Sequence, residues 1–200
     1  MPIGLLSLVL FVELGYIARS GPLPIDMKVA LWFKAHRTPK EVDMAQAISA
    51  LTTPIIVFSA IVIILLFLNY WTRSWYVRDF IPLALVGTAA VLATLAKPFF
   101  NRVRPGAGLT TLFDFEPSYP SSHTVFIAAA GCALLFFSEK HKFLIFVIVS
   151  LVIVNIGIVR LTLGVHWLSD LVGGTFLSWG LLIFFYVLDD RLAEKERTKL

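Results

Sequence analysis

Residues 143–159, FLIFVIVSLVIVNIGIV, hold no ionisable side chain, and a run of that kind leaves a chain few ways to fold. About 17–25 apolar residues in a helix cross the hydrocarbon of a bilayer, where every backbone N–H and C=O has to be satisfied within the segment. Comparable apolar stretches occupy 2–18, 45–68, 80–95, 124–138 and 167–188. They predict an all-α polytopic membrane bundle of six transmembrane helices, a single integral-membrane domain over residues 1–200. Six crossings put both termini on one side. The composition, 58% hydrophobic against 15% charged, lies well above the roughly 45–50% apolar usage of soluble domains.

The first run invites comparison with a cleaved signal peptide, but no Lys or Arg precedes it and an Ala-x-Ala-like cleavage pattern is absent. Glu13 inside it is read as bundle-facing or near the interface, without a functional role. Residues 21–42 mix Met27, Val29, Ala30, Leu31, Trp32 and Phe33 with Lys28 and Lys34, which predicts a short interfacial helix after the first span. His36 beside Arg37 is read as solvated or headgroup-facing. Arg73 and Arg78 among Trp71, Trp75 and Tyr76 form an aromatic, basic belt after the second span. Cys132 is the only cysteine; this excludes an internal disulfide and a cysteine-based metal site, and Cys132 is read as a packing residue.

The cations behind the net charge of +4 fall in the breaks between apolar runs. Lipid headgroups and anionic substrates, not nucleic acid, are therefore the expected partners. On the side of the termini, Arg73, Arg78, Lys140, Lys142 and the four basic tail residues make eight. Arg19, Lys28, Lys34, Arg37, Lys40, Lys97, Arg102, Arg104 and Arg160 make nine on the other. Short loops weigh most in orientation, and three of the nine belong to a candidate site, so the termini are placed in the cytoplasm.

Three polar clusters meet the face opposite the termini: KPFFNRVRP at 97–105, YPSSH at 119–123 and RLTLGVHWLSD at 160–170. Lys97, Arg104 and Arg160 supply three cations with few acids nearby, which suits a phosphate; Arg offers a rigid fork and Lys a point charge. Pro120 followed by Ser121 and Ser122 reads as a helix start, with Ser as N-cap and free amides that favour an anion. His123 lies in that first turn. His166 and Asp170 are four apart, so on a helix they share a face. A carboxylate bound to one ring nitrogen fixes the tautomer and leaves the other free to attack. One histidine then attacks phosphorus while the other protonates the leaving oxygen. Each cluster alone has a plain structural reading: a helix cap, a helix-surface hydrogen bond, snorkelling anchors. Together on one face they point to phosphoryl chemistry.

With Lys97 to Arg104-Pro105, Pro120-Ser121-Ser122-His123, and Arg160 to His166 to Asp170 in place, the chain resembles the type 2 phosphatidic acid phosphatase family. That family's signature is K-x6-R-P, P-S-G-H and S-R-x5-H-x3-D. The resemblance implies that His166 is the nucleophile of a phosphohistidine intermediate, oriented by Asp170, and that His123 is the general acid. It implies that Lys97, Arg104 and Arg160 hold the phosphoryl oxygens with amides around Ser121 and Ser122, and that no metal or other cofactor is needed. Ser122 stands where the family has Gly, and Val159 where it has Ser; these departures leave room for retuned activity.

The expected function is a membrane lipid phosphatase acting on a phosphate or diphosphate monoester, of the phosphatidic acid, phosphatidylglycerophosphate or polyprenyl diphosphate class. A lipid phosphotransferase using the same site, and a non-catalytic headgroup carrier, are the alternatives. The paired His and Asp argue against the carrier, since binding phosphate needs only cations and amides. Short loops, compact size and the absence of an ER-retention signal point to a bacterial plasma membrane, with the site on the extracytoplasmic side.

Overall fold

Proline opens four of the helices, at the first helical position where its missing N–H costs nothing. The computed structural model describes residues 2–72, 77–106, 116–136 and 140–197. Arg73, Trp75, Tyr76, residues 137–138 of the fourth expected span and Lys199 lie outside the described residues, as do the side chains of Arg78, Lys195 and Arg197. The helices are α1 (Pro2–Ala18), α2 (Pro24–His36), α3 (Pro39–Leu51), α4 (Pro54–Thr72), α5 (Ile81–Phe100), α6 (Ser122–Leu134), α7 (Lys142–Thr162) and α8 (Leu168–Arg197), with a 3-10 turn at Val77–Phe80.

Two sequence expectations change. Where one short helix is expected within 21–42, the chain forms α2 and the first turn of α3, separated where Thr38 and Glu41 cap α3 reciprocally. The Glu41 N–H donates to Thr38 Oγ1 at 3.3 Å and the Thr38 N–H to Glu41 Oε2 at 2.7 Å. The second span, expected as one run over 45–68, breaks at Thr52-Thr53-Pro54, and Pro39–Leu51 meets Pro54–Ile64 at a bend of 44°. Pro54 has no N–H to donate and pushes Thr53 out of helical conformation. Among the described residues, α5, α7 and α8 each suffice by length and apolarity to cross a bilayer, and the bent pair α3–α4 makes a fourth candidate if it is counted as one span; α1 and α6 are shorter apolar helices.

α6 lies among α4, α5, α7 and α8, and its AAAGCA run lets neighbours approach closely. A Cβ on Gly131 would come within 2.2 Å of Val149. Leu85, Val86 and Ala89 of α5 pack with Val125, Ala129 and Cys132 of α6 and Leu177 of α8 in one buried core, and Cys132 acts there as the small packing residue expected. Large apolar side chains such as Leu5, Ile55, Ile63, Phe67, Phe143 and Leu151 stay exposed, as on a surface that faces lipid. Glu13 is on the exposed face of α1, not turned into the bundle.

α1 runs antiparallel along α8. Gly4 abuts Gly180 and Ile183, whereas the Ser7 hydroxyl donates to the Phe176 carbonyl at 2.9 Å. The start of α1 and the end of α8 therefore share one end of the bundle, and the α1–α2 and α7–α8 connections and the described parts of the α5–α6 connection share the other. Tyr119 closes that second end. Its ring stacks on Phe11 at 5.5 Å and meets Phe100 edge-on at 5.0 Å, and its hydroxyl donates to the Phe11 carbonyl at 2.5 Å. Gly15 and Gly173 make room for it; a Cβ on Gly173 would sit 2.3 Å from the Tyr119 oxygen. Gly173→Ala is expected to displace the ring, cost ~1–3 kcal/mol and lower the unfolding temperature in detergent; an unchanged temperature contradicts this packing role.

Candidate active site

α5 ends at Asn101, which takes the left-handed conformation (φ 43°) and donates its N–H to the Lys97 carbonyl at 2.8 Å. Asn accepts that conformation more readily than most residues. The chain then runs extended into Pro105, so alternate side chains share a side. Arg102 and Arg104 are buried while Val103, between them, is exposed.

Arg104 joins this segment to the α7–α8 turn. Its Nε donates to the Glu116 carbonyl at 2.8 Å and its Nη1 to the Val165 carbonyl at 3.0 Å, with Nη1 3.5 Å from His166 Nε2. His166 Nδ1 lies 3.3 Å from Asp170 Oδ2. A guanidinium can only donate, so the Nε2 facing it carries the lone pair and Nδ1 carries the hydrogen that points to Asp170. Burial pushes the His166 imidazole well below the usual histidine range, and the cations of Arg160, Arg104 and Lys97 push it the same way.

Asp170 occupies the first turn of α8 and is fully buried. Its Oδ2 also accepts the Trp167 N–H at 2.8 Å, and its Oδ1 accepts from Arg102 Nη1 at 2.5 Å and the Ser118 hydroxyl at 3.4 Å. Its backbone carbonyl accepts the Ser121 N–H at 3.2 Å. That bond brings the α6 N-terminus onto the α8 N-terminus. Ser121 stands at the N-cap of α6 as expected, but its side chain makes no cap bond. Among the described residues, Ser121 Oγ and Arg160 Nε are buried polar atoms without a hydrogen-bond partner. Ser122 is half-buried in the first helical turn, a conformation that does not require Gly.

Arg160, at the end of α7, donates from Nη1 to the Ser49 hydroxyl at 2.5 Å, and His123 Nε2 faces the Ser49 carbonyl at 3.4 Å. Ser49 of α3 thus joins the second histidine to the third cation. All eight sequence-predicted residues, Lys97, Arg104, Ser121, Ser122, His123, Arg160, His166 and Asp170, come from helix ends and turns at this end of the bundle.

Besides Ser49, three charged residues were missed. Arg102, counted above only among surface cations, is buried between two carboxylates. Asp26, from the start of α2, is one of them, at 2.6 Å from Arg102 Nη2. Glu116 corrects the expectation of few acids: its carboxylate is 3.3 Å from Lys97 Nζ and 4.0 Å from Arg104 Nη2. The R-V-R-P alternation carried a signal for Arg102; Asp26 and Glu116 are distant in sequence from the groups they meet. Among the described residues no group of three or more His, Cys, Asp or Glu is placed to hold a metal ion. His36 is exposed as expected and stacks on Trp32 at 4.7 Å. Beside it, a groove of about 450 Å³ between α2, α3 and α7 is lined by Trp32, Met44, Ile48, Ile156 and Val159 among others.

The family model described as the PAP2 superfamily matches residues 78–193. The chain belongs to the PAP2 superfamily. Phosphatidylglycerophosphatase B of Bacillus subtilis (strain 168) is 31% identical over 132 residues, 59% of this chain and 59% of that protein. An undecaprenyl-diphosphatase of Sulfolobus acidocaldarius is 30% identical over 97 residues, 46% of each. The chain thus matches less than two thirds of either relative's length. In structure it is similar to a transmembrane PAP2 type phosphatidylglycerolphosphate phosphatase from Bacillus subtilis, with a TM-score of 0.80 and 24% identity over 96% of this chain and 98% of that one. LpxE of Aquifex aeolicus aligns with a TM-score of 0.62 at 21% identity, over 82% of this chain and 96% of that one. These two likenesses establish the PAP2 membrane fold for this chain.

Glu116 holds the cations an anion would use. Glu116→Gln is expected to tighten orthovanadate binding by about two- to fivefold, read as increased protection against thermal unfolding; weaker protection contradicts competition.

Proposed function

We propose that this PAP2 protein is a membrane lipid phosphatase that hydrolyses a phosphate or diphosphate monoester through a phosphohistidine on His166. The tautomer carries the reading: Asp170 takes the Nδ1 hydrogen and Nε2 keeps its lone pair beside Arg104. An imidazole held in this way is prepared for attack, which headgroup binding alone does not need.

On substrate entry the phosphoryl oxygens take over Arg104, Lys97 and Arg160 from their protein acceptors. The buried Arg160 Nε and Ser121 hydroxyl then gain a partner. His166 Nε2 attacks phosphorus, the bond to the lipid oxygen breaks, and His123 delivers its proton to that oxygen. A water molecule then attacks the phosphohistidine, its proton passing to His123, and inorganic phosphate and neutral His166 are regenerated. Preorganised cations carry the negative charge throughout. The apolar groove opens beside Ile48 and Val159, the sequence neighbours of Ser49 and Arg160. That continuity suits a substrate whose phosphate reaches the cations while its hydrocarbon tail lies in the groove and the bilayer.

In this reading α1 and α6 cross the membrane with the other spans, making six, and α2 lies in the interface. The termini are cytoplasmic and the site faces the extracytoplasmic side of a bacterial plasma membrane. The named activities of the relatives, a phosphatidylglycerophosphatase and an undecaprenyl-diphosphatase, bracket the substrate class.

His166→Ala is expected to abolish inorganic phosphate release across a panel of phosphatidic acid, phosphatidylglycerophosphate and polyprenyl diphosphates, with parental activity unaffected by EDTA. Undiminished turnover removes His166 as nucleophile; label appearing on an acceptor lipid with little free phosphate makes the protein a phosphotransferase. A protonated His166 cannot attack, so activity falls as pH falls through its pKa. Because that pKa is depressed, the acid limb of kcat/KM should lie below the ordinary histidine value of about 6.5; a limb above it contradicts the assignment.

A further inference from the structure

Asp26 is a fully buried carboxylate far in sequence from every motif, and its contacts outside its own helix lead toward the nucleophile. It accepts the Leu23 N–H of its own helix at 3.0 Å, and the Ser169 N–H and hydroxyl at the start of α8 at 2.9 and 2.7 Å. Its fourth contact is Arg102 Nη2 at 2.6 Å. The other arm of Arg102, Nη1, donates to Asp170 Oδ1 and to Ser169 Oγ. Burial pushes the Asp26 carboxyl up, but the Ser169, Leu23 and Arg102 donors outweigh burial and hold it below the usual carboxylate range.

One guanidinium therefore bridges two buried carboxylates, one per arm, and the second of these orients His166. We propose that Asp26 and Arg102 are positioning residues for phosphoryl transfer, an ion pair reaching from α2 through Asp170 that sets the orientation and charge seen by His166. Without Arg102, Oδ1 of Asp170 keeps only the Ser118 hydroxyl at 3.4 Å, and the carboxylate is held toward Nδ1 less firmly, by the Trp167 N–H on Oδ2. Without Asp26, Arg102 loses the acceptor that aims its fork, and its charge falls more heavily on Asp170. The inference rests on the reading of His166 as nucleophile. It also makes α2 part of the catalytic apparatus.

The two partners act on His166 with opposite sign. The groups facing that imidazole are Asp170 of α8, Arg104 after α5, Lys97 of α5, Arg160 of α7 and His123 of α6, with Arg102 and Asp26 behind Asp170. Deleting a positive charge from this set favours imidazolium; deleting a negative one disfavours it. Isotope-labelled histidine NMR of the full chain in detergent, with His166→Ala to assign the signal, reads the titration directly. Arg102→Gln is expected to raise the His166 midpoint and Asp26→Asn to lower it, each by about 0.5 unit or more. Both should lower kcat about tenfold with KM within about twofold of the parent. Arg102→Lys, which keeps the charge but cannot bridge both carboxylates, should hold the midpoint and still lose kcat. If Arg102→Gln does not fold, the isosteric Asp26→Asn and the Lys variant carry the test. Midpoints unmoved in Asp26→Asn, or full kcat in the folded Lys variant, overturn the proposal. The titration needs no substrate. An inactive parent enzyme sinks the phosphatase reading alone, whereas an active parent with unmoved midpoints sinks the brace.

Discussion

The Asp170 carboxylate is the point at which this end of the bundle is tied together. Within hydrogen-bond reach are Arg102 from the segment after α5, Ser118 from the approach to α6, and Trp167 and His166 from the α7–α8 turn. Its backbone carbonyl takes Ser121 at the start of α6. Three chain segments are thus registered against a single residue. A buried carboxylate is costly, and removing one partner of such a buried pair costs ~3–5 kcal/mol. The surrounding donors are therefore a condition for the loops to close at all.

The same arrangement explains how a site rich in charge survives beside hydrocarbon. Both arms of Arg102 engage its two carboxylates below the surface, whereas Lys97 and Arg104 are held by carbonyls and by the exposed Glu116 carboxylate. The inner charges are permanently engaged and serve geometry. The outer cations have acceptors that a phosphate can replace. In the proposed mechanism, structure and chemistry are divided between two arginines only two residues apart in sequence.

Much of this was legible in the sequence because the relevant patterns are local. Apolar run length marked the helices, the spacing of His166 and Asp170 placed them on a common face, and the span ends brought Lys97 and Arg104 to the same side. The bend at Thr52-Thr53-Pro54 was signalled by proline but masked by the hydrophobicity on either side, which reads as one continuous span. Arg102 resembled any cation at a span end, and only the extended backbone before Pro105 turns it inward beside Arg104. Asp26 joins Arg102 across 76 positions, and Ser49 joins Arg160 across 111. No periodicity relates residues so far apart. YPSSH began as a helix start, and the structure keeps that reading while moving its importance. The Ser121 amide is engaged by Asp170, its hydroxyl meets no partner among the described residues, and Tyr119 is the wedge between Gly15 and Gly173.

The central claim is that His166 Nε2 becomes bonded to phosphorus. Rapid acid-free quenching of the detergent-solubilised protein with radiolabelled lipid phosphate tests it most directly. The account predicts a protein-bound label within one turnover that is stable to alkali, released by mild acid and localised by mass spectrometry to His166. A label on another residue, or full turnover through direct attack of water with no protein-bound label at any time, would contradict it.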